Sequence, residues 1–130
     1  MIYTVTLNPA IDKTAVIENF CAGAVNRIGM LREDAGGKGI NVSKSLKNLG
    51  EDSTAVVILA GDAGKRLENM LRKLEISVLA VWTEGESRTN LKIVDFAKRE
   101  NTDINEPGPA VSDELLEEVK SKLGERIRPG

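Results

Sequence analysis

The chain has 130 residues, enough for one domain with a real core, and its 41% hydrophobic and 29% charged residues are those of a globular rather than a disordered protein. Eighteen basic and twenty acidic residues are interspersed to a net charge of −2, so no whole-molecule field draws the chain to nucleic acid or to an anionic membrane. The single cysteine, Cys21, excludes an internal disulfide and suits a reducing compartment, while the absence of histidine disfavours zinc sites and serine–histidine catalysis.

The opening residues carry neither a basic leader nor a cleavage site, and no segment reaches the roughly 20 apolar residues of a membrane helix, which predicts a cytoplasmic protein. Residues 2–7 alternate and are rich in β-branched and aromatic types, the pattern of a strand. Asn8-Pro9 ends it, and residues 10–12 are predicted as a loop that carries Asp12 to the rim of the sheet. Residues 13–17 and 26–33 are short polar extended stretches around an irregular 18–25, and they read as a small, partly exposed sheet acting as a flap.

The spacing of Val42, Leu46 and Leu49 predicts an amphipathic helix over 40–49, stopped by Gly50. Residues 53–60 contain a continuous apolar run, as expected of a strand buried on both faces of a parallel sheet. Gly61-Asp62 turns the chain into a second helix with Leu67, Met70, Leu71 and Leu74 as its stripe and Asp62 as its cap. Residues 76–82 form a further strand and 84–86 a turn. The alternating strand over 87–96 sends Arg88, Asn90 and Lys92 to one face and Thr89, Leu91 and Ile93 to the other. Residues 98–103 are a charged turn, 102–105 can extend a hairpin, and 106–109 break regular structure. Ser112 opens a third helix, with Leu115, Leu116, Val119 and Leu123 inward, ending before Pro129-Gly130. Strands alternating with helices predict an α/β layered sheet with the flap to one side.

Residues 36–43, Gly-Gly-Lys-Gly-Ile-Asn-Val-Ser, bring bare backbone, one cation and one amide to the start of a helix, which suits a ligand cradle. The stretch is not a Walker A loop, because Arg32 and Gly39 stand where that pattern needs glycine and a hydroxyl residue. Nor is it a dinucleotide fingerprint, because Val42 stands where the last glycine belongs. On spacing alone a structural turn before a helix stays open beside the cradle.

The residues 4–12, Thr-Val-Thr-Leu-Asn-Pro-Ala-Ile-Asp, then Val25-Asn26-Arg27, then the glycine stretch, then Arg88-Thr89-Asn90 and 105–109, Asn-Glu-Pro-Gly-Pro, follow in an order and spacing that resembles the N-terminal part of ribokinase-like sugar kinases of the phosphofructokinase B type. Among these the chain is most similar to bacterial 1-phosphofructokinases, with tagatose-6-phosphate kinases and 6-phosphofructokinases as alternatives. The resemblance implies a ribokinase-like layered sheet with helices on both faces and a small β lid, its strands approximately within 12–34 and 87–96, residues 1–130 forming the N-terminal portion of the kinase domain. It implies ATP-dependent phosphorylation of a ketohexose phosphate, fructose 1-phosphate going to fructose 1,6-bisphosphate. Asp12, Gly36, Gly37, Lys38 and Asn41 would hold the sugar, and Arg27, Lys38 and Arg88, with Asn90 nearby, the existing phosphate.

The same resemblance implies that ATP, Mg and the catalytic aspartate belong to a later Gly-Ala-Gly-Asp motif that this sequence does not contain, so the 130-residue chain is expected to be inactive alone. Relatives dimerise through the lid, whose strands permit a homodimer here. Structural alternatives stay open for Asp12 as a turn cap and for Arg27 and Arg88 as solvated surface charges. A short, non-catalytic sugar-phosphate-binding protein is the alternative of another class.

Overall fold

A computed structural model describes residues 1–127, so Pro129-Gly130, before which the third helix is expected to end, lie outside the described residues. The element order is β1 (Ile2–Thr6), β2 (Ala10–Val16), β3 (Met30–Gly36), α1 (Lys38–Asn48), β4 (Ser53–Ala60), α2 (Gly61–Lys73), β5 (Ser77–Thr83), β6 (Arg88–Asp95), β7 (Glu100–Asn105) and α3 (Asp113–Arg126). It is an α/β fold of two sheets, a three-stranded one ordered β1-β4-β5 and a four-stranded one ordered β3-β2-β6-β7.

β4 pairs in parallel with β1 and with β5, and all eight of its residues are buried, as the unbroken apolar run predicts. Ala55, Val57 and Leu59 face the side covered by α1 and α2, where Ile40, Leu67 and Leu71 join them. Val56 and Ile58 face the other side and pack with Leu79, Val81, Leu115 and Val119, so helices lie on both faces. The second sheet has β2 at its centre, antiparallel to β3 and parallel to β6, with β7 antiparallel on the outside. Its root is tied to the main core by Ile11 and Ala35, and its back face holds Ala15, Ile17 and Ile93.

The structure corrects five local expectations, the first being the charged turn over 98–103, whose residues from Glu100 onward pair with β6 as β7. Residues 10–12 are not a loop: β2 begins at Ala10, because the extended bias before and after Pro9 continues directly into ladder pairing with β3 and β6. The second flap strand runs later than 26–33, over Met30–Gly36, so the first glycine of the cradle ends a strand rather than lying in a loop.

On α1, Val42 and Leu49 are 51% and 80% exposed, whereas Ile40 and Ser43 are buried. The helix is turned by a close approach at Gly39, where any Cβ would run into the Val5 carbonyl and the Thr6 side chain. A buried hydroxyl chain fixes the same face: Ser43 shares a 2.7 Å hydrogen bond with Thr4, and the Ser53 hydroxyl donates to Ser43 at 2.8 Å. Asp62, finally, makes no capping bond. Glu86, from the turn before β6, accepts instead from the backbone N–H of Asp62 at 3.2 Å and of Ala63 at 3.1 Å.

Candidate functional site

The second sheet's pleat sorts its residues into rows. Asp12 on β2 stands opposite Asp34 on β3 and Asn90 on β6, and Asn90 stands opposite Asn105 on β7. One pleat further along the strands, Thr14 is flanked by Arg32 and Lys92, with Asp103 beyond. Side chains of both rows line an open polar groove of about 540 Å³, with Lys44 of α1 contributing from outside the sheet. In the direction of the three-stranded sheet, the preceding row is Gly36, Ala10 and Arg88. The groove therefore begins beside the carboxyl ends of parallel strands, where α/β sheets present their ligands.

The glycines shape its inner end. A Cβ on Gly36 would overlap the Asp12 carboxylate, so only glycine lets that side chain lie across the end of β3. Gly37, at φ 130°, caps α1 without a side-chain hydrogen bond, which leaves the helix-opening N–H groups facing the same end. Three side-chain oxygens here are buried without a hydrogen-bond partner: Thr6 Oγ1, Asn8 Oδ1 and Asn90 Oδ1. An orphaned buried acceptor costs about 1–3 kcal/mol, which a ligand hydroxyl can offset.

Most of the groove's cations already have protein partners. Arg32 Nε donates to Asp34 Oδ2 at 2.8 Å, Lys44 Nζ donates to the Ala35 carbonyl, and Lys13 pairs at 3.6 Å with Glu33, which also pairs with Arg66 of α2. At the far end of the sheet, burial pushes the Asp95 carboxyl up, but hydrogen bonds from the backbone N–H groups of Lys98, Phe20, Asn19 and Ala97 outweigh it and hold the group below its ordinary range.

Of the residues singled out from the sequence, Asp12 and Asn90 meet in the groove, with Gly36 directly beneath Asp12. Gly37, Lys38 and Asn41 sit at the start of α1, the latter two exposed to solvent and none of the three lining the groove. Arg88 belongs to the groove's face but donates from Nε to the Asn8 carbonyl at 3.2 Å. Arg27 is exposed in the segment before β3, away from the groove lining. Arg32, Asp34, Lys44, Lys92, Asp103 and Asn105 line it without having been picked as site residues. Only for Lys92 did the sequence hold a signal, its even parity with Arg88 and Asn90 on one strand.

Among the described residues no three His, Cys, Asp or Glu side chains converge in a cluster that could hold a metal ion by themselves. No described helix is long and apolar enough to cross a membrane.

Residues 5–126 match the model of the pfkB family of carbohydrate kinases. The 1-phosphofructokinase of Xanthomonas campestris pv. campestris is 41% identical over 128 residues, 98% of this chain and 40% of that protein. A tagatose-6-phosphate kinase of Staphylococcus epidermidis is 35% identical over 123 residues, 95% of this chain and 39% of that protein. The crystal structure of phosphofructokinase-2 from Escherichia coli in complex with fructose-6-phosphate matches at a TM-score of 0.90 and 27% identity, over 99% of this chain and 42% of that one. This chain thus spans about 40% of the length of the curated relatives it matches.

Proposed function

The chain belongs to the pfkB family of carbohydrate kinases, and on that premise we propose that it supplies the sugar-phosphate site and lid of a ketohexose-phosphate kinase, with fructose 1-phosphate as substrate and fructose 1,6-bisphosphate as product. The single observation that carries this reading is the Asp12 carboxylate lying over Gly36 with Asn90 beside it, in a polar groove at the carboxyl ends of a parallel sheet. An ionised carboxylate accepts hydrogen bonds from sugar hydroxyls, and Gly36 and Gly37 let the ligand approach the backbone. The first N–H groups of α1 favour its oxygens. The four-stranded sheet acts as the lid. Lys38, Asn41 and the arginines Arg27 and Arg88 reach the ligand from the rim, the arginines matching phosphate oxygens with their forks.

ATP with Mg supplies the phosphoryl group. Its transfer to the free primary hydroxyl breaks the bond to the nucleotide, forms a P–O bond to the sugar and sends the hydroxyl proton to a base. The family likeness assigns that base and the nucleotide to a Gly-Ala-Gly-Asp segment that this sequence lacks. Phosphoryl transfer depends on positioning and charge stabilisation, so the residues here bind, orient and shield the sugar without turning it over by themselves. Met30 and Phe96, 68% and 67% exposed near the lid's far end, offer a surface for a second copy. The substrate class and the free Cys21 fit a cytoplasmic location.

Tagatose 6-phosphate is the second reading, favoured by the 35% identical Staphylococcus epidermidis kinase. Calorimetric titration of the chain with fructose 1-phosphate, tagatose 6-phosphate, fructose 6-phosphate and ribose separates them. Saturable binding of fructose 1-phosphate, weakened roughly tenfold or more by Asp12→Ala, is expected. No binding of any ketohexose phosphate, or stronger binding of ribose, overturns the proposal.

A further inference from the structure

The geometry points to Lys92 as a further residue, beside the rim arginines, that reads the phosphate already on the substrate, and so as a specificity-determining residue of the lid; this rests on the sugar-phosphate reading above. Lys92 lies on the groove face of β6, one pleat beyond Asn90, and lines the groove. Two residues along a strand span about 6.6 Å, and a lysine side chain can sweep back over that distance towards the Asp12 row. β2 leaves the end of β1 after three intervening residues, so each further row lies farther from the carboxyl ends of the three-stranded sheet. A sugar held on Asp12 and Asn90 with its reactive hydroxyl towards those strand ends therefore carries the group at its opposite end outwards, to the row of Lys92.

Charge bookkeeping selects the same residue. The groove's other cations, Arg32, Lys44 and Lys13, are held by Asp34, the Ala35 carbonyl and Glu33. Asp103 stands opposite Lys92 on β7, yet none of the ion pairs among the described residues includes Lys92. An ammonium in a polar groove that is not drawn into an ion pair is poised for an anionic group of the ligand. Arg27, Lys38 and Arg88 stand outside the groove lining, so Lys92 adds to them from inside it.

The test is calorimetry of the full chain with fructose 1-phosphate and with unphosphorylated fructose, in wild type, K92M, K92R and Asp12→Ala. A lost charge-assisted contact to a dianion predicts that K92M weakens fructose 1-phosphate roughly tenfold or more, leaves fructose unchanged and flattens the salt dependence of binding, while K92R keeps most of the affinity. If K92M binds fructose 1-phosphate as wild type does while Asp12→Ala abolishes binding, the role of Lys92 is refuted and the sugar-phosphate reading stands. If wild type itself does not prefer fructose 1-phosphate to fructose, both are refuted.

Discussion

Asp95 shows how one buried carboxylate can hold a sheet's far end. It is 3% exposed and accepts from the backbone N–H groups of Asn19 at 3.1 Å, Phe20 at 2.9 Å and Lys98 at 3.1 Å, tying the segment after β2 to the turn after β6. Its folded carboxyl titrates below the ordinary value of 3.8, so the folded state binds fewer protons than the unfolded chain. The stabilisation is therefore complete above about pH 4 and is lost as the pH falls through the folded value. Urea midpoints for wild type and D95N should differ most at neutral pH and converge in acid; a gap independent of pH would remove the carboxylate from the explanation. Asn90 was legible because strand parity and a motif both point at it, and Asp12 from the motif alone. The Thr4–Ser43–Ser53 chain was not, since it joins hydroxyls 39 and 10 residues apart that only packing brings together.

Among the elements, β4, β5, α2 and α3 follow their sequence patterns because apolar content decides them: Leu67 and Leu71 are buried on α2, and Leu115 and Val119 on α3. Ser112 caps α3 as its hydroxyl residue suggests, accepting from the Leu115 N–H at 3.1 Å. Helix α2 is capped from a distance instead. Glu86 takes two of its opening N–H groups, and Gly61, at φ 63°, leaves the room that a Cβ would deny to that carboxylate. Replacing Glu86 with Ala should cost about 1 kcal/mol in denaturant unfolding, whereas Asp62→Ala should cost less, because the Asp62 side chain caps nothing. Equal losses would return the cap to Asp62. The stripe on α1 misled because hydrophobic spacing is a weaker constraint on a helix's rotation than a backbone contact at Gly39.

For the whole molecule, the three-stranded sheet ends at β1, which pairs with β4 and with no other described strand on its outer side. Met1, Ile2, Val5 and Leu7 are exposed along it, at 83%, 42%, 46% and 39%. An open apolar edge templates pairing with another chain, so the 130-residue protein is expected to gain mass with concentration in sedimentation experiments, and Val5→Lys to reduce that gain. A monodisperse monomer at high concentration would contradict this. By itself the sequence determined the layered α/β class, the strands and helices whose apolar runs leave no alternative, and Asp12, Gly36 and Asn90 among its site candidates. Those features are local, written in period, composition and motif. Tertiary structure alone decided where β2 and β3 begin, which face α1 buries, which residue caps α2 and which cation in the groove is left without a partner. These outcomes depend on ladder register and on contacts between residues far apart in the chain, where close backbone approach and hydrogen-bond pairing outweigh local propensity.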